Sequence, residues 1–61
     1  MLYTIYRNKR TNKFAAARIS DDQDYKDAEY QKTIGKTTAE KCLWADSAED
    51  AVEKYLHPFG L

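Results

Sequence analysis

The chain has a single cysteine, one proline and two glycines. It also has no apolar run longer than Phe14-Ala15-Ala16-Ala17 or Cys42-Leu43-Trp44-Ala45. One cysteine allows no internal disulfide, which fits a reducing compartment and argues against a secreted mini-protein. Cys42 and His57 are the only soft ligands, and two do not make a structural zinc site, so neither a metal nor a cofactor is expected. The apolar runs fall far short of the ~20 residues of a membrane span. The stretch after Met1 is broken by Thr4 and Arg7, unlike a signal peptide. These absences lead us to expect a soluble, cytoplasmic protein with no membrane partner.

Catalytic patterns are missing too. Gly35-Lys36-Thr37 matches the end of a phosphate-binding loop, but the glycine needed five positions before Gly35 is replaced by Tyr30, so a polar turn is the better reading. His57 falls at a helix C-terminus, where a cation is favoured for its own sake. No carboxylate pair has an apolar setting that would raise a pKa. A chain of 61 residues is also expected to offer no pocket of the usual ligand-site volume. No enzyme, catalytic residue or small-molecule substrate is therefore expected.

What is present is a strongly uneven charge. Ten cations balance ten acids. Arg7, Lys9, Arg10, Lys13 and Arg18 occupy residues 1–19 without a single acid, and all ten acids follow. The chain is a dipole along its sequence, which implies either a polarised surface or pairing between the halves.

LYTIYR (residues 2–7) and FAAARI (14–19) flank a turn-rich stretch and predict a β-hairpin with a loop at 8–13. Asn8 and Asn12 suit the loop ends, because Asn can bond the backbone two residues on and tolerates left-handed backbone. SAEDAVEKYLH (47–57) predicts a helix with Ser47 as N-cap. Ala48, Ala51, Val52, Tyr55 and Leu56 form its apolar stripe, and Pro58 and Gly60 stop it. CLWA (42–45) reads as a third strand, since a strong N-cap at Ser47 implies non-helical residues before it. A helix starting from Thr37-Thr38-Ala39-Glu40 competes with that reading. Residues 20–36 admit either a helix over 21–34 closed by Gly35, or an acidic connection with a helical turn and a short strand near Ile34. The expected fold is a single α+β domain over residues 1–61: an N-terminal hairpin and a third antiparallel strand packed on a C-terminal helix, with an extra helical turn possible in 20–35.

A loop at 8–13 pairs Arg7 with Phe14, and strand alternation then divides the hairpin into two faces. Leu2, Thr4, Tyr6, Ala15, Ala17 and Ile19 share an uncharged face, expected to receive the helix. Tyr3, Ile5, Arg7, Phe14, Ala16 and Arg18 share the other, expected to be open. The candidate interaction face is therefore Tyr3, Arg7, Lys9, Arg10, Lys13, Phe14 and Arg18. The function expected is that of a small non-enzymatic binding protein with a protein partner or self-association, since a small core with eight aromatics favours an interface. The alternative is nucleic-acid binding, with the cations on phosphates and Tyr3 and Phe14 stacked on bases. Zero net charge weighs against it.

Overall fold

The computed structural model describes residues 1–57; the expected stop at Pro58 and Gly60 lies outside them. Five elements follow in the order β1 (Leu2–Asn8), β2 (Phe14–Arg18), α1 (Gln23–Thr33), β3 (Thr37–Trp44) and α2 (Ala48–Leu56). The three strands form one antiparallel sheet in the order β2-β1-β3. The α+β fold expected from the sequence is the one observed, with residues 42–44 of the expected third strand in β3, Ala45 just beyond its end, and a full helix, α1, in the undecided segment.

The hairpin register is the expected one, Arg7 opposite Phe14 and Tyr3 opposite Arg18. Asn8 sets it: its Oδ1 accepts from the backbone N–H groups of Arg10 at 2.8 Å and Thr11 at 3.1 Å. Asn12 takes the left-handed conformation at φ 60°, which Asn tolerates better than most residues.

Helix α2 begins as its sequence predicts. Ser47 Oγ accepts from the Asp50 N–H at 3.0 Å, and the Asp50 carboxylate accepts from the Asp46 N–H at 3.0 Å. Helix α1 is defined by its end rather than its start. Asp22, its N-cap, makes no side-chain cap bond. At the other end Gly35 sits at φ 84°, its N–H donates to Lys32 O, and the Lys36 N–H donates to Gln31 O, each at 3.0 Å. That bond pair is a Schellman closure, which needs left-handed backbone and so favours glycine.

The helices lie on opposite faces of the sheet. Helix α2 covers the face of Tyr3 and Ile5, where Tyr3, Ile5, Ala45 and Ala51 form the core and Phe14, Ala16, Leu43, Val52 and Tyr55 pack against them. Ile5 and Ala51 are 0% exposed. This corrects the expectation that the uncharged face would receive this helix. Tyr3, Ile5, Phe14 and Leu43 offer far more apolar area than Thr4 and the alanines, and buried apolar area drives the packing. The guanidinium groups do not obstruct it, because Arg18 closes β2 and Arg7 stands one residue from the end of β1.

Helix α1 crosses the other face diagonally, from the end of β2 to the start of β3. It contributes no buried residue and has no continuous apolar stripe. Polar contacts hold it instead. The buried Tyr6 hydroxyl donates to the Glu29 carboxylate, and Arg18 pairs with Asp22 at 2.9 Å. The diagonal leaves the sheet corner near Trp44 uncovered.

Candidate functional site

Tyr3 is 6% exposed beneath α2, and the Phe14 ring packs on Tyr55 with centroids 5.3 Å apart and planes inclined at 50°. Both aromatics of the proposed face therefore serve the core. Arg7 Nε lies 3.2 Å from Glu40 Oε1, and its NH1 donates to Asn12 Oδ1 at 2.9 Å. Arg18 is held by Asp22. Of the seven candidates, Lys9, Arg10 and Lys13 remain exposed and form no ion pair among the described residues.

These three share the hairpin tip, and the fold adds a fourth cation. The Lys9 N–H donates to Lys36 O at 3.1 Å, which fastens the α1–β3 turn to the hairpin. Lys9, Arg10, Lys13 and Lys36 thus gather at one end of the sheet, where α1 also ends. Asp21, Asp22, Asp46 and Glu49 gather at the other end, where both helices start. The sequence dipole therefore resolves in two ways: Arg7 and Arg18 are neutralised internally, and the loop cations form a basic end opposite an acidic one. The helix termini favour both placements, since N-termini attract acids and C-termini attract cations.

The structure adds a feature that sequence reasoning passed over. Trp44, opposite Leu2 at the end of edge strand β3, is 70% exposed. Met1 at 49%, Ile19 at 37% and the exposed thiol of Cys42 share that end of the sheet. Alternation along β3 was the available signal. If Leu43 faces the core opposite Tyr3, then Trp44 must face the other way.

The expectation that so short a chain offers no depression of ligand size is corrected. An open groove of about 640 Å³ runs along β2, lined by Ala15, Ala17, Asp24 and Asp27 on the α1 side and by Ala16 and Ala48 on the α2 side, among others. A second, of about 390 Å³, lies on the α2 face between Phe14, Ala16, Ala48 and Val52. Among the described residues no three of His, Cys, Asp and Glu gather where they could hold a metal. No described helix is long and apolar enough to cross a membrane.

The Tyr6–Glu29 pair carries the clearest electrostatic signature. Burial, reinforced by the neighbouring carboxylate, pushes the Tyr6 hydroxyl well above its ordinary 10.0. The hydroxyl and Lys32 in turn hold the Glu29 carboxyl below 4.5. The pair ties α1 to the sheet and is a structural contact. No known protein-family model, curated protein or solved structure matches this chain.

Proposed function

We propose that this is a non-enzymatic binding module that acts by contact with a partner protein. The observation that carries this reading is the exposure of Trp44. Burying a side chain of that size within the chain's own fold would contribute about 2–3 kcal/mol, a large share of the stability open to so small a domain. Trp44 instead stands out beside Leu2 and Cys42 at a corner that α1 leaves uncovered. Aromatic anchors of this kind are typical of the centre of a protein interface.

Nucleic-acid binding is the weaker reading. The cluster of Lys9, Arg10, Lys13 and Lys36 favours it, but Tyr3 and Phe14 lie in the core and so cannot stack on bases.

A photo-reactive residue placed at position 44 in cells expressing the protein should form covalent adducts with another protein. The same group at exposed Glu53 should form far fewer. Equal adducts at both positions, or adducts with nucleic acid at position 44, would overturn the proposal.

A further inference from the structure

The two edges of the sheet are built differently. Edge strand β3 carries a register shift opposite Ile5 and Tyr6 and places Glu40 and Lys41 mid-strand. A bulge and charges are devices that discourage another strand from pairing. Edge strand β2 has no bulge, and its one charge, Arg18, stands at its very end. Its pairing with β1 is regular, and its centre is Ala15-Ala16-Ala17.

The hydrogen bonds at the two ends of the hairpin set its phase: the Asn8 N–H donates to Lys13 O at 2.8 Å, and the Ile19 N–H donates to Leu2 O at 2.9 Å. Odd-numbered residues from 13 to 19 therefore direct their main-chain groups at β1. Phe14, Ala16 and Arg18 direct theirs outward. Among the described residues only the Arg18 carbonyl on this edge has a partner, the Ser20 hydroxyl at 3.4 Å, and it keeps a second lone pair.

From this geometry we infer that β2 pairs antiparallel with β2 of a second copy, joining two molecules into one six-stranded sheet. With Ala16 opposite Ala16, the outward groups fall in phase. Phe14 exchanges a reciprocal pair of bonds with Arg18 of the second copy, and the two Ala16 residues exchange another. The pairing is isologous, as a closed two-fold dimer requires.

Charge selects this occupant. Continued past the strand ends, the same register brings Arg10 and Lys13 of each hairpin tip to the Asp21–Asp22 segment of the other copy, where Asp22 already holds Arg18 and Asp21 forms no ion pair among the described residues. The basic end of each molecule thereby meets the acidic end of its partner, and like-charged ends are kept apart. The apolar groove beside Phe14, Ala48 and Val52 lies along the same edge, so the two copies of α2 would close it between them. Trp44 lies on the opposite edge of the sheet, so this inference and the partner reading stand or fall separately.

Sedimentation equilibrium of the wild-type protein from micromolar to millimolar concentration tests this directly. The mass should rise from 7.1 kDa toward twice that value. Over the same range the amides of Phe14, Ala16 and Arg18 should slow in hydrogen exchange by about tenfold or more. Ala15 and Ala17, already bonded to β1, should change little by comparison. Ala16→Pro removes an N–H that the monomer does not use, a position where edge strands accept proline. This variant should keep the wild-type circular dichroism spectrum and remain at 7.1 kDa throughout. A wild-type protein that stays monomeric at millimolar concentration would overturn the inference, as would a dimer whose Phe14, Ala16 and Arg18 amides exchange freely, or a folded Ala16→Pro that still dimerises. If Ala16→Pro does not fold, the exchange pattern of the wild type decides alone.

Discussion

Replacing Ile5 with alanine should cost about 2–4 kcal/mol in urea or thermal unfolding, the usual range for truncating a fully buried aliphatic side chain. Ile5 is 0% exposed and lies in the central strand, in one cluster with Tyr3, Ala45 and Ala51. Its neighbours come from the sheet and from α2, so the cavity cannot close without moving a helix. A domain of 61 residues has about 3–9 kcal/mol of stability in total. The variant should therefore lose a large share of the domain's stability and melt well below the wild type. An Ile5→Ala protein within 1 kcal/mol of wild type would mean that α2 does not rest on this face.

Tyr6→Phe should cost about 1–2 kcal/mol at neutral pH, the range for losing a hydrogen bond to a charged group that solvent can partly reach. Its pH dependence is more diagnostic. The folded protein holds the Glu29 carboxyl below its ordinary value, first through the Tyr6 hydroxyl and then through Lys32. A lowered folded pKa contributes stability that is present above about 4.5 and lost as the pH falls below it. Tyr6 has the opposite sign. Its raised pKa contributes stability that is present below about 10 and lost as the pH rises through the folded value. Wild-type stability should therefore fall at both extremes. Tyr6→Phe should flatten the acid limb, leaving the part due to Lys32, and remove this group's share of the alkaline limb. Denaturant melts from pH 3 to pH 11 would show this, and parallel wild-type and Tyr6→Phe curves would exclude the contact.

The local elements were legible because a few side chains dictate each of them. Asn8 and Asn12 fix the hairpin loop and hence the pairing of Arg7 with Phe14. Ser47 and Asp50 fix the start of α2, and an N-cap at Ser47 left Cys42-Leu43-Trp44 to the sheet. The choice of sheet face was not legible. Reasoning from charge favoured the face without arginines, whereas apolar area decided the outcome and the arginines found carboxylates at the strand ends. Helix α1 could not be read as a sheet-covering element because it lacks an apolar stripe, and the Tyr6–Glu29 contact that fastens it joins residues far apart in sequence.

That choice of face then decides the candidate site. Once α2 lies over Tyr3 and Phe14, the combined basic and aromatic face no longer exists. Three of its cations remain at the hairpin tip and gain Lys36, while Trp44 becomes the exposed aromatic on the far edge. With a helix on each face, partners are left the edges, the ends and the open corner.

Nuclear Overhauser contacts from the Ala51 methyl test this arrangement most directly, because Ala51 is the fully buried residue of α2. Cross-peaks to the Ile5 methyls and the Tyr3 ring are the predicted result. Cross-peaks to Thr4, Ala15 or Ala17 would contradict it, placing α2 on the other face and returning Tyr3 and Phe14 to the surface.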